Sequence, residues 1–403
     1  MDGVDPQHPP ERGRSPVSGR RLRPEAGAAA QASALIAEPR SFAPRSGGAA
    51  IIDLRPRVRP GLEADGENRV LVVIPCLNEE AFIGPLLEQL LSDEALEEPL
   101  IVVADGGSTD RTRAIVAAIA ARDSRVRLLA NPGRLQSAGV NLAARVYGQG
   151  RAWLVRVDAH AVYPENYVSR LLAEGRRTAA SSVVVSMETR GEGGFQRAVA
   201  VAQNSRLGTG GSAHRSRARA AWVDHGHHAL FRLTEFLKAG GYDESFSHNE
   251  DAEFDLRLGR GGGRIWLTDA LSLVYHPRST PGALWRQYVN YGRGRARTVL
   301  KHRTRLKPRQ ALPLAVAPAV AAAAAAPLFW PAALPALAWA GLCLGYGAFL
   351  GAKARDGWAM LSGAAAMEMH LAWSLGFWSQ LIGRGRKAGR LPAARAPAEE
   401  PAP

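Results

Sequence analysis

The chain has 403 residues, with 51 Lys and Arg against 37 Asp and Glu for a net charge of +14, and two cysteines, Cys76 and Cys343. That length holds one large domain with additions, and two cysteines without metal-ligand spacing exclude a disulfide framework or a zinc module. The arginine-led excess suits anionic partners (nucleic acid, lipid headgroups, phosphorylated substrates) and equally a solvated basic surface, so only local clusters carry weight.

Residues 1–66 are rich in Pro, Arg, Gly and Ala and read as a disordered leader. Their Ala-rich patch, Ala28–Leu35, is too short and interrupted for a signal-peptide core. From Arg69 the pattern changes. Val70–Pro75 is predicted as a strand, followed by a helix over Glu79–Leu91 with Phe82, Ile83, Leu86, Leu87, Leu90 and Leu91 at helical spacing. Leu100–Ala104 is a second strand, and Thr109 is expected to cap a helix reaching Ala121. A third strand at Val126–Ala130, a Ser137-capped helix to Val146, a fourth strand at Ala152–Val157, a helix near Pro164–Glu174 and a strand at Ser182–Met187 follow. Strands alternating with helices imply βαβ units on a mainly parallel sheet.

Residues 190–225, rich in Gly, Arg, Ser and Ala, are expected to form a long active-site loop with little regular structure. Next come a strand (Ala229–Arg232), a helix (Thr234–Ala239), an acidic-pair helix over Asp251–Leu258, and strands at Arg264–Leu267 and Leu271–Tyr275. Leu284–Leu300 sets Trp285, Tyr288 and Tyr291 among Arg286, Arg293, Arg295 and Arg297, the pattern of an amphipathic helix at a membrane surface. Ala311–Ala352 is uncharged and about twice the roughly twenty residues that span a bilayer. It is expected to form two spans, about 311–330 and 333–352, turning at Pro327, Pro331 and Pro335; a soluble Ala-rich hairpin is the alternative. Lys301, Arg303, Arg305, Lys307 and Arg309 before it, with Lys353 and Arg355 after it, place both ends in the cytoplasm. Trp358–Ile382 carries Glu368 and His370 and reads either as a third span or as an interfacial or re-entrant helix. The expected organisation is a catalytic domain at 67–300, membrane segments at 301–390 and a disordered tail at 391–403.

Three acidic landmarks step along the catalytic part: Asp105 and Asp158, each just after an apolar run that reads as a buried strand, and the pair Glu250-Asp251. In an open α/β sheet, ligands bind outside the carboxyl ends of the strands. Two strand-end carboxylates and a downstream acidic pair therefore point to one cleft for something cationic, most simply a divalent metal carrying a phosphorylated ligand.

Val73-Ile-Pro-Cys-Leu-Asn-Glu-Glu80, Asp105-Gly-Gly-Ser-Thr-Asp110, Asp158-Ala-His160 and Asn249-Glu-Asp251 occur in this order, and together they resemble the family 2 inverting glycosyltransferases of GT-A fold. The resemblance covers about residues 69–300. Arg156-Val-Asp-Ala-His160, Gly240-Gly-Tyr-Asp243 and Gln287…Tyr291-Gly292 are similar to the succinoglycan-biosynthesis type of exopolysaccharide glycosyltransferase. The resemblance implies a GT-A nucleotide-diphospho-sugar transferase fold followed by C-terminal transmembrane helices.

It also implies roles. Pro75, Asn78 and Glu79 lie in the loop that reads the nucleobase, and Asp105 accepts the imide N–H of a uracil ring. An Asx-turn carboxylate is the plainer reading of Asp110. Asp158 and His160 hold Mn²⁺ or Mg²⁺, with histidine standing where the usual motif has a second acid. Asp251 is the general base and Glu250 orients it or an acceptor hydroxyl; helix capping is the competing account of that pair. Arg134, Gln136 and Asn141 contact phosphate or sugar, while His276, Gln287 and Arg293 close over the diphosphate. Processive synthases carry Gln-x-x-Arg-Trp where this chain has Gln287-Tyr-Val-Asn-Tyr291, which argues for single-sugar addition.

The expected partners are a nucleotide sugar, UDP-linked, and a polyprenyl-diphosphate-linked saccharide at the cytoplasmic face of a bacterial-type inner membrane. Transfer to polyprenyl monophosphate, which needs no base, is an alternative, as is a non-catalytic nucleotide-sugar-binding membrane protein. No helix-turn-helix, RNA-binding aromatic motif or zinc spacing supports a nucleic-acid role. The turn after the first strand lacks the Gly-x-Gly-x-x-Gly of a dinucleotide oxidoreductase.

Overall fold

A computed structural model describes residues 68–210, 219–306 and 308–388; the leader and the tail expected to be disordered lie outside them. The elements of the catalytic part are β1 (Val70–Cys76), α1 (Ile83–Leu91), β2 (Leu100–Asp105), α2 (Thr112–Arg122), β3 (Val126–Ala130), α3 (Gln136–Tyr147), β4 (Trp153–Arg156), α4 (Tyr167–Thr178) and β5 (Ser182–Thr189). They continue with α5 (Gly194–Asn204), α6 (Arg206–Thr209), β6 (Ala221–Val223), β7 (His227–Arg232), α7 (Leu233–Lys238), α8 (Glu250–Arg260), β8 (Ile265–Tyr275) and α9 (Pro281–His302).

The eight strands form one sheet in the order β3-β2-β1-β4-β7-β5-β8-β6. β1 pairs in parallel with β2 and β4, β2 with β3, and β5 with β8; β7 and β6 run antiparallel to their neighbours. β1 is buried along its whole length, and its alternate residues face two cores. Val70, Val72 and Ile74 meet Ile83, Val116 and Leu171 on one side, while Leu71 and Val73 meet Val140, Phe236 and Phe254 on the other. A strand covered on both faces has no polar side to alternate, which is why these runs are continuously apolar. From β1 the chain builds outward to β3 and then returns to β4 on the other side of β1. The carboxyl ends of β1 and β4 therefore flank a topological switch point, where open α/β sheets bind ligands.

Several local expectations change. Neither Thr109 nor Ser137 caps a helix: α2 starts after Arg111 and α3 after Leu135, both without a side-chain cap. The strands expected at Arg264–Leu267 and Leu271–Tyr275 are one strand, β8. Thr268 pairs with Val185 and Ser272 with Ser186, so the intervening residues bulge out and only resemble a break. The loop expected over 190–225 instead holds α5, α6 and β6, with residues 211–218 outside those described. Phe195, Val199, Ala202 and Leu207 give this stretch an apolar stripe, and its partner surface lies far down the chain at Ala365, Ala366 and Met369.

The C-terminal part comprises α10 (Pro308–Ala311), a 3₁₀ turn (Leu312–Ala315), α11 (Val316–Ala323), a second 3₁₀ turn (Trp330–Ala333), α12 (Leu334–Ala354), α13 (Gly357–Met360) and α14 (Ser362–Ala388). Of the two spans expected, only Trp330–Ala354 is long and apolar enough to cross a bilayer among the described residues. The first segment stops at Ala323 in tightened i→i+3 turns through Ala326, where Pro327 cannot continue a helix.

α14 is not a lone span: it packs on α5 (Ala365, Ala366 and Met369 against Val199 and Ala202) and closely on α9 and α12. A Cβ on Gly292 of α9 would lie 2.1 Å from the Trp373 carbonyl oxygen, and one on Gly376 would lie 2.1 Å from that of Val289. Those two glycines set how closely α9 and α14 approach. α9 itself is a seam between the sheet domain and α14. Arg297 donates to the Ser245 carbonyl (2.8 Å), and Lys301 pairs with Asp243 (2.7 Å) and Glu253 (2.6 Å).

Candidate active site

Two loops build one wall of the cleft beyond β1 and β2, and they are laced together through backbone groups. The Asn78 amide donates to Ser108 Oγ (2.9 Å), and Asn78 Oδ1 accepts from the Thr109 amide (2.8 Å). The Glu79 and Glu80 amides donate to Thr112 Oγ1 (2.8 Å) and Asp110 Oδ2 (3.1 Å). Asn78 takes the left-handed conformation (φ 58°) that this turn needs, one an asparagine tolerates. Asp105 ends β2 directly beside Cys76 and is buried. Its carboxylate accepts from the amides of Gly107 (3.1 Å) and Ser108 (3.2 Å), so the Asx-type turn read at Asp110 also describes Asp105. The Arg134 guanidinium lies against Gly107, where a Cβ would sit 3.2 Å from Nη2. Asn78, Glu79, Asp105 and Arg134 thus meet at one corner, with Pro75 just before them in the buried end of β1.

The other wall centres on Arg156, the last residue of β4, whose side chain is buried. Its Nε donates to Asp158 Oδ1 (3.1 Å), its Nη1 to Glu250 Oε1 (3.2 Å) and Asp251 Oδ1 (2.9 Å), and its Nη2 to Gln136 Oε1 (2.5 Å). The guanidinium also stands 5.8 Å from the centre of the Tyr242 ring. One planar fork therefore ties the carboxylate beyond β4 to the acidic pair that opens α8. The second Asp251 oxygen accepts from His227 Nδ1 (3.0 Å).

These contacts separate the two members of the pair. Burial, with the Asp251 charge beside it, pushes Glu250 up to about 7 against the pull of Arg156. Burial works to raise Asp251 too, but Arg156 and His227 outweigh it and hold its carboxyl below the usual carboxylate range. A raised carboxyl stabilises the fold below its unfolded value of 4.5, and that contribution is lost as pH rises through about 7. Glu250→Gln is accordingly expected to gain thermal stability on the wild type between these pH values. Melting curves in detergent across that range check it; a gap that stays constant contradicts it.

A divalent ion that arrives with a donor diphosphate takes one or two protein ligands and fills its shell with phosphate oxygens and water. Asp158 and His160 fit that pattern, a carboxylate and an imidazole two residues apart beyond β4. His160 Nδ1 lies 2.9 Å from Glu79 Oε1, a hydrogen bond that raises its pKa with help from the Asp158 charge. Among the described residues no group of three or more His, Cys, Asp or Glu side chains is arranged to hold an ion alone.

The Glycosyl transferase family 2 model matches residues 71–236, covering β1 to α7 with both walls' strand ends. The succinoglycan biosynthesis protein ExoA of Rhizobium meliloti (strain 1021) is 52% identical over 312 residues, 77% of this chain and 94% of that protein. The chain belongs to glycosyl transferase family 2. The fold of this family 2 enzyme is similar to that of the mannosyltransferase PcManGT from Pyrobaculum calidifontis, solved in complex with GDP-Man and Mn²⁺. The TM-score is 0.50 at 17% identity, over 82% of this chain and 91% of that one, a likeness of GT-A fold alone.

Four residues expected at the donor have hydrogen-bond or charge partners of their own in this family 2 enzyme. Asn141 is buried and locks the Gly241–Glu244 turn: its Nδ2 donates to the Tyr242 carbonyl (2.8 Å) and Glu244 Oε1 (2.9 Å), and its Oδ1 accepts from the Tyr242 amide (2.9 Å). Arg293 is exposed and turns to α14, donating to Ser379 Oγ (3.4 Å). His276 Nδ1 is 3.8 Å from Glu192 Oε1. Gln287 donates to Tyr275 Oη (2.9 Å) and Tyr291 Oη (3.2 Å) at the end of β8.

Four further contributors carry no role in the sequence motifs: Arg156, His225, His227 and Arg278. Arg156 was visible in Arg156-Val-Asp-Ala-His160, yet a charged residue inside a strand shows its importance only when its partners are known. His225 and His227 sit in Asp224-His-Gly-His-His228, a histidine cluster that was itself a signal. Arg278 adds positive charge by His160 and His248, the latter lowered by burial and by Arg278.

Proposed function

We propose that this family 2 enzyme is a membrane-bound inverting glycosyltransferase of exopolysaccharide assembly. It moves one sugar from a UDP-linked donor to a polyprenyl-diphosphate-linked saccharide at the cytoplasmic face of a bacterial inner membrane. The observation that carries the reading is the Arg156 junction. At the switch point of the sheet, one guanidinium holds the donor-side carboxylate Asp158 and the base-side carboxylates Glu250 and Asp251 within 2.9–3.2 Å.

In the mechanism, Asn78, Glu79, Asp105 and Arg134 hold the nucleoside end of the donor beyond β1 and β2. Asp158 and His160 would hold Mn²⁺ or Mg²⁺, which when bound supplies Lewis-acid stabilisation of the leaving diphosphate. Asp251, ionised and fixed at both oxygens, accepts the proton of the acceptor hydroxyl. That oxygen attacks the anomeric carbon from the face opposite the diphosphate, and the C–O bond to phosphate breaks with its electron pair leaving on the phosphate oxygen. Glu250 shares the Arg156 fork and limits how far Asp251 can turn.

Membrane attachment is supported by where apolar side chains face solvent. Of the 21 large hydrophobic residues exposed among the described ones, 17 lie between Leu312 and Ile382, including Leu328, Phe329, Trp330, Leu337 and Leu342. A soluble protein rarely leaves so much apolar surface bare in one region. The 52% identity to a succinoglycan biosynthesis protein supports the exopolysaccharide role.

The test is transfer of label from a panel of radiolabelled nucleotide sugars into extractable lipid, using membranes that contain the chain, with Mn²⁺ or with EDTA. Metal-dependent label from a UDP-sugar in an acid-labile lipid diphosphate supports the reading. Label resistant to EDTA removes the metal, label in a lipid monophosphate replaces the acceptor, and no label from any donor with native lipid supplied overturns the assignment.

A further inference from the structure

His225 and His227 face two aspartates one turn apart on α8. His227 Nδ1 is 3.0 Å from Asp251 Oδ2, His225 Nδ1 is 2.7 Å from Asp255 Oδ2, and the two imidazoles meet edge to face with centroids 4.8 Å apart. The match follows from backbone repeats. Two residues of extended chain advance roughly 6.6 Å and four residues of helix about 6 Å, so an i, i+2 pair on one face registers with an i, i+4 pair on the other. Gly226 makes the approach possible. Its amide donates to Asp255 Oδ2 (3.2 Å), and a Cβ there would lie 2.3 Å from Val184 Cγ2 of β5. Asp255 is buried, receiving both that amide and His225.

We propose that His227 is a positioning residue for the general base, with the His225–Asp255 pair as its support. This rests on the reading of Asp251 as the base. An ionised carboxylate only accepts hydrogen bonds, so His227 keeps a proton on Nδ1 and donates it. Arg156 fixes Oδ1 and His227 fixes Oδ2, which sets the carboxylate plane while each oxygen retains a lone pair for the acceptor hydroxyl. The proton of that hydroxyl passes to Asp251, the new C–O bond forms as the bond to phosphate breaks, and His227 remains a donor throughout. Among the described residues, the charged or titratable groups around Asp251 are Arg156 from β4, Glu250 and Asp255 from α8, His225 and His227 from the β6–β7 segment, and Tyr242.

The experiment compares wild type, His227→Ala, His227→Asn and Asp251→Asn in the full chain, reading kcat, donor KM and the acid limb of the pH–rate profile, with nucleotide binding as the check of folding. His227→Ala is expected to lower kcat about tenfold and leave donor KM within about twofold. Losing a donor to the charged form raises the Asp251 pKa, so the acid limb moves to higher pH. Asparagine puts an amide N–H near the position of Nδ1, so His227→Asn restores most of the rate and the limb. A His227→Ala rate per folded enzyme within about twofold of wild type, or a loss that His227→Asn does not restore, overturns the proposal. Transfer that survives in Asp251→Asn shows that the base reading itself has failed; an inactive Asp251→Asn beside a wild-type-like His227→Ala removes the positioning role alone.

Discussion

Asp251→Asn is expected to lower the transfer rate by about 10²–10⁴, the range contributed by a placed general base, while nucleotide diphosphate still binds. Asparagine suits this test because it preserves both contacts. Its carbonyl can accept from Arg156 Nη1 at the site of Oδ1, and its amide can donate to His227 once that ring bears its proton on Nε2. The variant therefore removes basicity and leaves the packing of α8 intact. The wild-type carboxyl is held below the usual carboxylate range, so it is ionised throughout the neutral region. Its contribution to stability is complete above the unfolded value and is lost only as pH falls through the lowered one. Kinetics with labelled donor, set beside nucleotide titration, check the prediction; a rate within about threefold of wild type contradicts it.

Arg156→Met is expected to produce the largest loss of stability of any substitution in the cleft. The methionine fills much of the same volume but leaves Asp158, Glu250 and Asp251 without the cation that all three share. Breaking a buried ion pair by removing one partner costs about 3–5 kcal/mol, a fall of on the order of 10 °C in melting temperature for a domain of this size. The loss has a pH signature. Without Arg156, burial and mutual repulsion raise the carboxyl pKa values, so the deficit is greatest at neutral pH and shrinks as the carboxylates protonate. Arg156→Lys is expected to recover little, since one ammonium cannot bond Asp158, the acidic pair and Gln136 from the three corners that a guanidinium occupies. Melting curves at neutral and mildly acidic pH check both statements; equal deficits at the two pH values contradict the account of the charge.

Much of the catalytic domain was legible because its strands are buried on both faces. Leu71–Ile74 and Ile101–Ala104 show as unbroken apolar runs, Leu154–Val157 is interrupted by Arg156 alone, and Asp105 and Asp158 are conspicuous just beyond these runs. What escaped the sequence reading depended on distant partners. The stripe of Phe195, Val199 and Ala202 has no visible purpose until α14 lies against it. Its Gly- and Arg-rich surroundings suggested a loop. Asn141 looks like a polar residue near a phosphate until the Tyr242 backbone, a hundred residues on, uses both ends of its amide. Arg293 has the charge for a diphosphate, but its position on α9 turns it to Ser379. The apolar stretch 311–352 gave composition without showing where proline would break the helix, which is why two expected spans became one long helix and a shorter segment.

The proposed transfer is a single displacement in which Asp251 activates the acceptor on the face opposite the leaving diphosphate. The most direct test is the anomeric configuration, read by NMR, of the first glycoside formed from an α-linked nucleotide sugar. A β-linked product is expected; an α-linked product rules out this mechanism, because one displacement from the face opposite the diphosphate inverts the anomeric centre.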